Sequence, residues 1–111
     1  MQKDGISTLF ESPVYHSLEE NIFNRVEAQF AHRKKTYKMF TNCFSNTLQT
    51  TLRTLPDGTT FLITGDIPAM WLRDSACQIR PYLILAEKER AIADMVAGLI
   101  ERQFRFILID P

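Results

Sequence analysis

Apolar positions recur at intervals of three and four in four separate stretches of this chain, and most stretches carry their own start or stop signal. Leu18, Ile22, Phe23, Val26 and Phe30 form the first stripe. Ser17-Leu18-Glu19-Glu20 has the form of a capping box, in which the Ser17 hydroxyl accepts from the Glu20 amide and the Glu20 carboxylate reaches back. The spacing predicts a helix from Ser17 that ends before Arg33-Lys34-Lys35, a basic cluster suited to a helix C-terminus. Residues 1–16 carry Gly5, Ser7, Ser12 and Pro13 with no sustained period and read as an irregular N-terminal arm.

Phe40, Phe44, Leu48, Leu52 and Leu55 predict a second helix across Tyr37 to Leu55 with one buried side. Leu55-Pro56-Asp57-Gly58 then reads as a turn, since Pro presets φ, Asp bonds back to the chain and Gly takes positive φ. Thr60-Phe61-Leu62-Ile63 is too short to build a sheet alone and reads as an extended segment or one half of a hairpin. A third helix is expected from Asp74 to Leu85, with Pro81 kinking it or marking its true first turn. The fourth, Glu89 to Ile109, is the longest. Its apolar residues Ile92, Met95, Val96, Leu99, Ile100, Phe104, Ile107 and Leu108 cover a face broad enough to meet more than one neighbour. The pattern is all-α, with residues 17–111 as one run of helices.

Composition narrows the class. The chain has 111 residues, 45% hydrophobic and 23% charged, as a folded domain has. Thirteen Lys+Arg balance thirteen Asp+Glu, so no net field favours a phosphate backbone, and nucleic acid is not an expected partner. No stretch has the ~18 apolar residues of a membrane span, and Met1 to Gly5 lacks the apolar core of a signal peptide, which makes the cytoplasm the expected compartment. Cys43 and Cys77 stand apart from any CxxC spacing and from His partners, so buried free thiols are expected and no metal site is indicated. The last helix runs to Asp110-Pro111 without a polar taper, which suggests a piece of a larger helical array. Its uncovered apolar faces would then meet further sequence or another copy of the chain.

The candidate chemistry is concentrated between Thr64 and Ser75, where two carboxylates, the single Trp, an Arg and two hydroxyls fall within one short segment. Gly65 and Pro68 imply a loop of specified backbone angles. Trp71 offers an apolar plate for the C–H face of a sugar, and Arg73 and Asp74 offer donors and acceptors that match vicinal hydroxyls. The same residues also fit a structural role. Trp71 would be a core anchor, Arg73 would pair with Asp66 or Asp74, and Ser75 or Asp74 would cap the next helix. Asp66 and Asp74 can be imagined as a general acid and base, since eight steps through a loop do not exclude a glycosidase-like separation, but a neighbouring Arg lowers a carboxylate's pKa and makes it a poor acid. Ligand positioning suits both better.

The run TGDIPAMWLRDSACQIRPY, Thr64 to Tyr82, closely resembles the signature of the metal-independent α-mannosidases of glycoside hydrolase family 125. Met39 to Leu48 and Phe106 to Pro111 are similar to further blocks of that family, so the resemblance spans about residues 37 to 111. It implies an exo-acting hydrolase that removes α-1,6-linked mannose from glycans with inversion, without metal or other cofactor, on an (α/α)6 barrel. Such a barrel is larger than this chain, which would supply its N-terminal portion. The resemblance carries Asp66, Trp71, Arg73 and Asp74 over as substrate-binding residues and places the acid and base beyond Pro111. The isolated chain is then expected to be inactive, with a weak carbohydrate-binding or helical interaction module as the alternative description.

Overall fold

A computed structural model describes residues 12–111. Most of the N-terminal arm lies outside these residues. Helix α1 spans Pro13–Gln29 and begins a turn before the predicted start. Ser12, not Ser17, is its N-cap: the Ser12 hydroxyl oxygen accepts from the Tyr15 amide at 3.3 Å, and Pro13, whose missing N–H costs nothing in the first turn, follows it. The Ser12 hydroxyl also donates to Glu89 at 2.9 Å, and Glu89 caps the last helix by accepting from the Ala91 amide. One hydroxyl therefore joins the starts of the first and last helices.

Helix α2, Lys34–Phe44, stops well short of the predicted Leu55. Arg33 and Lys34 stand at its beginning, where the dipole disfavours cations, so the basic cluster is not the helix C-terminus that was expected. The break has a local cause. Thr50 and Thr51 turn their hydroxyls back to the carbonyls of Asn46 and Thr47, at 2.7 and 2.6 Å, and the chain widens into a single π-turn, Thr47–Thr51. Strand β1, Leu52–Thr54, follows directly and pairs antiparallel with β2, Thr60–Leu62, in the register Leu52 to Leu62. The Leu55–Gly58 turn closes this hairpin as read from its residues, with Gly58 donating to the Leu55 carbonyl at φ +83°.

Helix α3, Leu72–Ile79, starts two residues before the predicted Asp74 and ends before Pro81. Pro81 sits in a 3₁₀ turn, Arg80–Tyr82, that redirects the chain into the short α4, Leu83–Ala86. Helix α5, Arg90–Ile109, occupies the predicted fourth segment.

The core is one continuous apolar cluster with two sides. Phe23 of α1 meets Phe40 and Phe44 of α2 edge to face, Phe40 stacks on Phe44 and Tyr82 packs tilted against Phe44, with ring centroids 5.3 to 6.0 Å apart. The buried Tyr82 hydroxyl donates to the Phe44 carbonyl, which lies at the open C-terminal end of α2. Burial pushes the Tyr82 hydroxyl above the ordinary phenol range. On the other side, Ile92, Met95, Val96 and Leu99 of α5 close over Leu62, Leu85 and Met70. The apolar face of α5 is buried along its first half, and in its second half Phe106 packs edge to face on Phe61 while other apolar side chains stay open. Phe104 is 62% exposed and Leu108 82%. Cys43 and Cys77 are exposed rather than buried, because each falls on the outer side of its short helix. No helix among the described residues is long and apolar enough to cross a membrane.

The hairpin is fastened to α5 by charge. Arg102 donates to the Thr59 hydroxyl at 2.6 Å and to Asp57, and Arg105 reaches Asp57 at 3.2 Å while pairing with Glu101. The Thr59 hydroxyl and amide, and then the Arg102 guanidinium, bring the Asp57 carboxyl down to about 2. A folded value below the ordinary one gives stability that is present above the unfolded carboxylate range and lost as pH falls through the folded value. The difference in melting midpoint between the natural chain and Asp57→Asn is therefore expected to shrink between about pH 4 and about pH 2. A constant difference across that interval would mean that the carboxylate charge is irrelevant to the clip.

Candidate functional site

All four predicted ligand-positioning residues lie on one connected stretch, the loop from Thr64 to Trp71 and the first turn of α3. The loop is drawn together by Thr64, which is only 3% exposed. The Thr64 amide and hydroxyl both donate to the Ala69 carbonyl, at 2.9 and 3.0 Å, and the hydroxyl oxygen accepts the Trp71 amide at 3.0 Å. Gly65 turns at φ +82°, a conformation that carries the chain from the buried Thr64 outward to Asp66. Met70 turns inward and places its sulfur 3.4 Å from the Leu62 amide. Trp71 then points out.

Trp71 is 57% exposed, so it is not the core anchor of the structural alternative. It stands at the N-cap of α3 without a side-chain cap bond, a position where Ser, Thr, Asp or Asn is favoured. Neither Ser75 nor Asp74 takes the capping role. Asp74 lies in the first turn of α3, where the helix dipole suits a carboxylate. Among the described residues Arg73 pairs with Asp74 at 3.8 Å, with side chains 92% and 51% exposed. Such a long, solvated contact contributes little to stability and leaves the guanidinium available to a ligand. Asp66 is exposed on the same loop.

Ser75 is fully buried and acts behind the surface. Its hydroxyl donates to the Leu72 carbonyl at 3.1 Å and accepts from the Gln103 amide at 2.8 Å. Gln103 also donates to the Leu72 carbonyl at 3.0 Å. Sequence reasoning missed Gln103, since nothing local signals a contact between residues 31 positions apart. Elsewhere, a cleft of about 400 Å³ between α1 and α2 is lined by His16, Glu19, Glu20, Phe23, Asn24 and Tyr37, and it contains none of the four candidates. Burial raises the Glu19 carboxyl there. Among the described residues, no group of three or more His, Cys, Asp or Glu is placed to hold a metal ion.

A helical scaffold that presents an exposed indole, a guanidinium and two carboxylates along one connected stretch is built like part of a helical carbohydrate-active enzyme. The chain belongs to the metal-independent alpha-mannosidase family, GH125, which its residues 33–111 match. It is similar to the meiotically up-regulated gene 157 protein of Schizosaccharomyces pombe, 42% identical over 78 residues that cover 67% of this chain and 15% of that protein. Among solved structures it is similar to a metal-independent alpha-mannosidase of Streptococcus pneumoniae in a non-productive complex with alpha-1,6-mannobiose. That likeness has a TM-score of 0.76 at 40% identity and covers 83% of this chain and 22% of the streptococcal one. The chain thus spans less than a quarter of either relative's length. Its mostly helical architecture is that of a fragment of the family's (α/α)6 barrel.

Proposed function

We propose that this chain forms the edge of an exo-α-1,6-mannosidase that holds the terminal mannose, with Asp66, Trp71, Arg73 and Asp74 in contact with the sugar. The observation that carries this reading is the outward Trp71 beside a solvated Arg73–Asp74 pair, inside a segment matched to the family. The streptococcal relative's complex with alpha-1,6-mannobiose supports the choice of sugar. Hydrolysis with inversion needs one carboxylic acid to protonate the leaving oxygen and a second carboxylate to activate water on the opposite face. In this reading both are supplied by residues outside 1–111, and the chain alone binds without cleaving.

Two proteins test it side by side with α-1,6-mannobiose: this chain, and the streptococcal mannosidase carrying residues 33–111 of this chain in place of its own matching segment. The hybrid is expected to release mannose and the chain alone to release none. Release by the chain alone would place the acid and base within these residues and overturn the assignment. The exposed Phe104 and Leu108 favour a second reading, a helical interaction module. Under that reading α-1,6-mannobiose leaves the Trp71 emission of the chain unchanged.

A further inference from the structure

We infer that Thr64 and Gln103 are positioning residues for the Trp71–Asp74 segment, one fastening its entry and the other its first helical turn. The inference rests on the reading of that segment as the mannose-binding edge. Trp71 is more than half exposed, so side-chain packing does not orient it, and its helix start lacks a side-chain cap. Its orientation comes instead from its backbone, which is held on both sides. The Trp71 amide donates to the Thr64 hydroxyl at 3.0 Å, and its carbonyl accepts from the Ser75 amide at 2.9 Å.

Each donor proton in the arrangement is used once, in a compatible sense. The Thr64 hydroxyl gives its proton to Ala69 and takes one from Trp71, so a single buried oxygen bridges two residues at the far end of the loop. The two protons of the Gln103 amide go to Leu72 and Ser75, and Ser75 spends its own proton on Leu72. Gln103 lies on α5, whose first half is seated in the core, so it references the first turn of α3 to the most deeply anchored helix. Neither residue needs to touch the sugar to set where Trp71, Arg73 and Asp74 stand. Loss of either clamp lowers the fraction of molecules in the competent arrangement, and apparent affinity falls by that fraction.

Trp71 is the one tryptophan among 111 residues, so its fluorescence reports this segment alone. The experiment uses the whole chain and compares Thr64→Val, Thr64→Ser and Gln103→Leu by Trp71 anisotropy, acrylamide quenching, far-UV dichroism and titration with α-1,6-mannobiose. Thr64→Val keeps the side-chain shape and removes the hydroxyl. It and Gln103→Leu are expected to lower the anisotropy and raise quenching at unchanged helicity. They should also weaken the mannobiose response by roughly 3- to 10-fold, the equivalent of one hydrogen bond. Thr64→Ser is expected to restore the natural values. Unaltered Trp71 anisotropy and quenching in both Thr64→Val and Gln103→Leu would overturn the inference, as would Thr64→Ser behaving like Thr64→Val. If Thr64→Val fails to fold, the other two variants decide by the same criteria. A natural chain whose emission ignores α-1,6-mannobiose would count against the mannose reading, while the anisotropy and quenching results still judge the clamps.

Discussion

Exchanging Gly98 for valine is expected to destabilise the fold by about 2–3 kcal/mol, an overpacking cost in a region with no room to relax. Gly98 lies on the buried side of α5, where the hairpin crosses it. A Cβ there would stand 2.7 Å from the Thr60 hydroxyl oxygen and 3.1 Å from both the Gly58 carbonyl oxygen and the Thr60 amide nitrogen. Two of these three atoms are backbone, and Thr60 is itself only 2% exposed, so the hairpin has to move as a unit. Moving it stretches the Arg102 contacts to Asp57 and Thr59. Alanine is the instructive control, because replacing Gly in a helix interior gains up to about 1 kcal/mol of propensity and so offsets part of the clash. The order of thermal midpoints is therefore natural chain, then Gly98→Ala, then Gly98→Val, with the valine variant roughly 10–15 °C below the natural chain for a domain of this size. A valine variant that melts at or above the natural chain would show that the crossing is looser than this geometry.

Where the physics was local, the residues announced it. The Leu55–Gly58 turn and α5 were legible because Pro, Asp and Gly act within a few positions and because a long 3.6-residue period has no strand counterpart. The stripe Phe40, Phe44, Leu48, Leu52 misled for a physical reason. Leu52 keeps its place in the core by pairing with Leu62 across a hairpin rather than by continuing a helix, and Thr50 and Thr51 release the helix just before it. A spacing of four residues is blind to that exchange of partners. The start of α1 was misplaced because two capping signals compete, and Ser12-Pro13 prevails where its hydroxyl also meets Glu89, 77 positions away. At the candidate site the residue types were legible as candidate chemistry alongside a structural alternative, and it is the exposure of Trp71 that separates the two. Gln103 and the buried hydroxyls behind them were not, since their role exists only once α5 lies against α3.

Truncating Trp71 to alanine in the streptococcal hybrid is expected to lower kcat/KM for α-1,6-mannobiose by about 10- to 100-fold while leaving the chain's melting midpoint nearly unchanged. The two halves of this expectation come from the same observation. An indole that is 57% exposed contributes little to the core, and as an N-cap without a side-chain bond it contributes nothing to the helix that alanine would lose. A residue that breaks a local preference without repaying it in the fold is where a functional or strained position is expected. Covering roughly 100 Å² of its face with a sugar, at about 25 cal/mol per Å², contributes about 2.5 kcal/mol, near the upper part of that range. Asp66→Asn and Arg73→Ala separate stacking from hydrogen bonding. Under the mannose reading each would remove a charge-assisted bond worth about 1.5–3 kcal/mol, and neither alters the apolar plate. If Trp71→Ala instead lowers the melting midpoint by several degrees and leaves kcat/KM intact, Trp71 is part of the packing between this chain and its neighbours in the barrel. The mannose contact would then pass to Asp66, Arg73 and Asp74 alone.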